Sequence, residues 1–170
     1  MTAESADPEV LHPWTIYMRA GEEARRRGDR RTGTDHLLLA LLEEPSIEAL
    51  LGVSLQQARQ ALEALDQEAL GALGIGSSAH APPLAMRAVP KRPTIRAIVT
   101  KDRLRLTPAA KKVLEEAVRP MRRKTQVTAA QVLAQILALE PPDPAAVLLA
   151  ALDVNTSDVL RRLDAINPGT

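Results

Sequence analysis

Apolar residues recur along most of this chain at spacings of three and four, the pattern of helices that bury one face. From Pro13, the positions Trp14, Tyr17, Ala20 or Gly21, and Ala24 line up on one side, which predicts a helix to about Arg27 that stops at Gly28. A second helix is expected after Thr34, with the Thr34 hydroxyl as its cap, Asp35 in the first turn, and Leu37, Leu38, Leu41 and Leu42 turned inward. Pro45 restarts the chain in a short helix closed by Gly52. Ser54 and Gln57 then form a capping box before the stripe Leu55, Ala58, Leu62 and Leu65.

After a break the same grammar returns. Thr107-Pro108 is a cap followed by proline in the first turn, with Ala110, Val113, Leu114, Ala117 and Met121 as the buried stripe. Pro120 falls inside that stripe and should kink or end the helix. Thr128 and Gln131 predict another capping box, before Val132, Leu133, Ile136 and Leu137. Asp143-Pro144 starts a helix to Leu152. Asn155 caps the last one, which carries Val159, Leu160, Leu163 and Ile166. Four helices on each side of the break make the reading all-α, with two four-helix units repeating at roughly a hundred residues.

The break itself, residues 71–105, is rich in glycine, proline and basic residues and reads as a linker. Within it, residues 94–100 alternate weakly and suggest a short strand. The expected organisation is a tail over 1–12, a first repeat over 13–70, the linker, and a second repeat over 106–167.

Composition narrows the chemistry. The chain has no Phe, one Trp and one Tyr, so its core is aliphatic, which suits helices. With 22 basic and 21 acidic residues its net charge is +1, too small for an obligate nucleic-acid binder. The absence of Cys excludes disulfides and thiolate metal sites and suits a reducing cytoplasm. Residues 1–7 have neither the basic start nor the apolar stretch of a signal peptide, and no apolar run approaches membrane-spanning length. A soluble cytoplasmic protein is therefore expected.

No catalytic signature emerges from the motifs. Gly74-Ile75-Gly76-Ser77-Ser78 lacks the lysine of a phosphate-binding loop, and no nucleophile elbow is present. His12, His36 and His80 are too scattered for a metalloprotease site, and His36 reads as a packing or hydrogen-bonding residue. No cofactor, metal or catalytic residue is assigned. Arg25, Arg26, Arg27, Arg30 and Arg31 form the densest positive patch, read as a solvated helix end without stacking aromatics.

The run Ala20-Gly21-Glu22-Glu23-Ala24, then Gly28, then Gly33-Thr34-Asp35-His36-Leu37-Leu38-Leu39-Ala40-Leu41 resembles one copy of the Clp repeat. Leu106-Thr107 with Ala110, Val113 and Leu114 resembles the opening of a second copy. The chain is thus similar to the N-terminal domain of ClpC- and ClpA-type AAA+ unfoldases, and the resemblance covers its whole length without the ATPase modules. The first copy has Thr32 where the family has Ile and Asp35 where it has Glu. In the second, the Gly-Thr-Glu-His element has become Thr128-Ala129-Ala130-Gln131.

In ClpC-type domains the motif glutamates and the opening threonine help bind phosphorylated arginine. By position, Asp35 stands for the first acid and Ala130 for the second, and Thr107 and Lys111 match the opening threonine and the basic residue after it. A guanidinium pocket needs an anionic acceptor. The resemblance therefore implies an altered first pocket, a lost second one, and a partner or peptide surface around Thr34, Asp35, Thr107 and Lys111. It further implies a monomeric, non-catalytic interaction module. Its partners would be substrates, adaptors or N-domain-targeting peptides of the Clp protease system, including the cyclic-peptide antibiotics that act on actinobacterial relatives. Its role would be accessory or decoy, with no membrane and no nucleic acid as partner. The alternative is a nucleic-acid-associated regulator acting through the basic patch.

Overall fold

The computed structural model describes residues 10–11, 13–74, 105–118 and 127–166. Its elements run β1 (Val10–Leu11), α1 (Pro13–Arg27), β2 (Arg31–Thr32), α2 (Thr34–Leu41), α3 (Pro45–Leu51) and α4 (Leu55–Ala72) in the first half. The second half holds β3 (Arg105–Leu106), α5 (Pro108–Val118), β4 (Val127–Thr128), α6 (Ala129–Leu137), α7 (Pro144–Ala151) and α8 (Thr156–Ile166). The fold is all-α, with eight helices among the described residues and strands of only two residues each. The kink expected at Pro120 and the strand expected over 94–100 lie outside the described residues.

Local capping sets most helix starts. Ser54 Oγ accepts from the Gln57 amide (3.2 Å) while Gln57 Oε1 accepts from the Ser54 amide (2.8 Å). Thr128 and Gln131 make the same reciprocal pair at 3.2 and 3.1 Å. Asp143, Asn155 and Thr107 each accept from an amide in the following first turn, at 3.0, 3.1 and 3.2 Å. Each such cap contributes about 1 kcal/mol. Helix α4 runs past the expected boundary through Gly71 and Ala72, ending in a turn at Gly74 with φ +72°.

The two halves repeat position by position. Left-handed residues follow α3 and α7 at equivalent points, Gly52 at φ +69° and Asp153 at φ 55°. Ala58 and Leu62 in α4 are buried like Val159 and Leu163 in α8. Leu37, Leu38 and Leu41 in α2 match Val132, Leu133 and Ile136 in α6, and Ile16 and Ala20 in α1 match Val113 and Ala117 in α5.

Helix α1 turns a different face inward from the one its aromatic residues suggest. Trp14 is 46% exposed and stacks on half-buried Tyr17, with ring centroids 5.3 Å apart, while Ile16 is buried in their place. Ala20, Gly21 and Ala24 are buried as their spacing predicts, and periodicity alone did not choose between Ile16 and the two aromatic residues before them. The choice falls to the groups packed against the helix: Ile16, Ala20, Glu23 and Ala24 face the core and the charged network of α4.

Short ladders join the repeats at their openings. β2 and β3 pair in parallel, Thr32 opposite Leu106, and β1 and β4 pair antiparallel, Leu11 opposite Val127. The start of each repeat thus lies beside the segment that precedes the second helix of the other. All eight residues of α2 are buried, because it packs against α1 and α4 of its own repeat and against α5, α6 and α7 of the other. α4 also crosses to α7 and α3 to α8. A helix surrounded in this way needs apolar residues on every side, which the run Leu37 to Leu42 provides.

Candidate functional site

Thr34 does not cap its own helix. Gly33 is the N-cap of α2, and the expected backbone–side-chain bond comes from His36, whose Nδ1 accepts from the Gly33 amide at 3.0 Å. This mirrors Gln131 in α6. The Thr34 side chain, 1% exposed, instead reaches the other repeat: its hydroxyl donates to Asp143 Oδ1 (2.7 Å) and accepts from the Ala145 amide (3.4 Å). Thr34 therefore helps cap α7. The reason is tertiary, since α2 and α7 pack together and bring their starts into contact.

Asp35 is 7% exposed and its carboxylate folds back over Gly33. A Cβ at position 33 would fall on Asp35 Oδ1, so a larger residue there would displace this carboxylate; the backbone, at φ −92°, is open to any residue. Arg27 Nη1 lies 3.4 Å from Asp35 Oδ2, and His36 Nδ1 lies 3.2 Å from Oδ1. Burial pushes the Asp35 carboxyl up, but hydrogen bonds and charge from His36 and the Arg27 guanidinium together hold it below its ordinary value. The other ring nitrogen, Nε2, lies 3.0 Å from Asp29 Oδ2.

Arg27 organises this corner. Besides Asp35 it contacts Asp29 (3.5 Å) and Asp66 of α4 (2.6 Å), linking the end of α1 to the approach to α2 and to α4. Sequence reasoning placed Arg27 in a solvated patch, yet its side chain is only 18% exposed. A second network lies along α1. Arg59 of α4 grips both oxygens of Glu23, and Arg26 adds a contact at 3.3 Å. Burial raises the Glu23 carboxyl, but the Arg59 hydrogen bond and charge, with those of Arg26, bring it below the usual value. Glu23 is 4% exposed, and its place on the Ile16–Ala20 face was the available signal for it.

Thr107 and Lys111 sit at the start of α5. The Thr107 amide donates to the Thr32 carbonyl at 2.9 Å, and its hydroxyl caps α5. The structure thus brings Thr107 to β2, two residues before Thr34. The Lys111 side chain is 67% exposed and its ammonium pairs with Glu115 at 3.4 Å. Thr32 Oγ1 is buried here and makes no hydrogen bond.

Open clefts of about 460 and 440 Å³ lie beside Pro45, Gly52 and Gln57, and beside Leu137, Pro141 and Val154. Neither is lined by Thr34, Asp35, Thr107 or Lys111. Among the described residues no helix is long and apolar enough to cross a membrane.

The fold defines a class: a two-repeat helical domain in which Thr34 and Thr107 sit where the repeats meet, while Asp35 and Lys111 pair within their own repeats. The family model of the Clp repeat N-terminal domain matches residues 13–143, and the chain belongs to that family. No curated protein matches the chain. The domain is thereby an N-terminal module of the Clp system, of a kind that is non-catalytic and generally engages proteins.

Proposed function

We propose that this domain works in the cytoplasm as a monomeric accessory or decoy of the Clp protease system, binding substrates, adaptors or N-domain-targeting peptides without turnover of its own. Family membership over residues 13–143 carries this reading. On this reading the surface used runs along β2–β3 and takes in Thr34, Asp35, Thr107 and Lys111. Support comes from the 2.9 Å bond between the Thr107 amide and the Thr32 carbonyl, which holds the two openings side by side. On this reading, Asp35 serves a cation-bearing ligand through exchange with Arg27, its present partner.

The test is a pull-down from cytoplasmic extract scored for Clp subunits and adaptors, followed by titration of one captured ligand against wild type and Asp35→Ala. The expected result is capture, with affinity reduced about tenfold by Asp35→Ala, the loss of one charge-assisted contact. Equal affinities remove Asp35 from the surface. Failure to capture any Clp component removes the reading itself.

A further inference from the structure

Arg31 and Arg105 are paired residues of the parallel ladder that joins the repeats, and both are exposed. Paired residues on neighbouring strands project to one face about 4.8 Å apart, so two side chains with permanently charged guanidinium groups leave the ladder on the same side. Like charges in that relation are destabilising. Arg30, the preceding residue, is exposed as well. Nearby carboxylates are already committed: Asp29 and Asp35 serve Arg27 and His36, and Asp66 serves Arg27. Among the described residues no ion pair reaches Arg30, Arg31 or Arg105. The chain as a whole carries only +1, so this surplus is local.

We propose that Arg31 and Arg105, flanked by Arg30, are a docking point for an acidic protein segment, with one carboxylate engaging each guanidinium. This rests on the interaction-module reading and supplies the chemistry of its partner. Alternate side chains of an extended segment share a face about 7 Å apart, a span that two long arginine side chains can meet with bidentate contacts. Nucleic acid fits less well. Single strands need aromatic platforms beside the cations, and Trp14 and Tyr17 sit toward the far end of α1, about 20 and about 15 Å along the helix from its junction with β2. Duplex binding needs many neutralised phosphates, which three arginines do not provide.

Fluorescein-labelled hexaglutamate, titrated by anisotropy at low and physiological salt, tests this. Saturable, salt-sensitive binding to wild type is expected, weakened about tenfold by Arg31→Gln or Arg105→Gln and abolished in the double variant. Thermal melts of the variants should match or exceed wild type, because a like-charge pair has been relieved. Absent wild-type binding, or a double variant that binds like wild type, overturns the proposal. So does a random-sequence DNA duplex that binds more tightly with the same arginine dependence. Capture of a Clp component without hexaglutamate binding sinks only the arginine site, and the converse sinks only the Clp reading.

Discussion

Two buried threonines two positions apart do opposite things, and the difference is energetic. The Thr34 hydroxyl bridges Asp143 and the Ala145 amide across the repeats, whereas the Thr32 hydroxyl is equally buried and bonds to nothing. Removing a bonded buried hydroxyl leaves its partners short, while removing an unbonded one relieves a desolvation cost. Thr34→Val should therefore lower stability by about 1–3 kcal/mol. Thr32→Val, nearly the same in shape, should raise it by about 1 kcal/mol. Urea denaturation of both variants checks the pair, and a stabilised Thr34→Val would show that the bridge is worth less than the methyl that replaces it.

At the scale of elements, α1 and α4 are tied by charge as well as by packing. The Glu23 carboxyl lies below its ordinary value when folded, because Arg59 and Arg26 outweigh its burial. As the pH falls, the unfolded chain takes up that proton first, so the contribution is full above the ordinary carboxylate range and is lost below about pH 4. Asp35 acts in the same direction. Glu43 acts in the opposite one. Burial, with the charges of Glu23 and Glu22, holds its carboxyl above the usual value despite Arg19 and Arg59, so ionising it works against folding as the pH rises through that range. Glu23→Gln should cost about 1–3 kcal/mol at pH 7 and flatten the acid limb of the stability curve. Glu43→Gln should be neutral or stabilising at pH 7. Melts of both variants between pH 3 and about 7 separate these outcomes, and an unchanged acid limb in Glu23→Gln would assign acid sensitivity elsewhere.

For the whole molecule, the decisive feature is that α2 is buried among helices of both repeats. A first repeat cut after Gly74 would expose the sides of Leu37 to Leu42 that now meet α5, α6 and α7. It would also leave Thr34 without Asp143. Such a piece should lack a cooperative melt, and adding the chain from Arg105 onward should restore one, because the core needs both halves. Circular dichroism melts of each piece and of the mixture check this. A first repeat that melts cooperatively by itself would show that the two cores are separable.

Helix number, most starts and most stops were legible in the chain because they are local events. Ser54 with Gln57, Thr128 with Gln131, Asp143, Asn155 and Gly52 each act within one turn of their own position, so sequence spacing contains the whole interaction. The family, too, was readable from short motifs. The inward face of α1 was legible only in part: Ala20, Gly21 and Ala24 are buried as their spacing predicts, but in the first turn only the surroundings favour Ile16 over Trp14. The work of Thr34, Arg27 and Glu23 was not legible, since their partners Asp143, Asp66 and Arg59 lie 109, 39 and 36 residues away. Hydrogen bonds and ion pairs at that range exist only after the repeats have packed. The sequence by itself determined the helices and their caps, and tertiary packing decided which polar residues serve the interior and which, like Arg31 and Arg105, are left facing solvent.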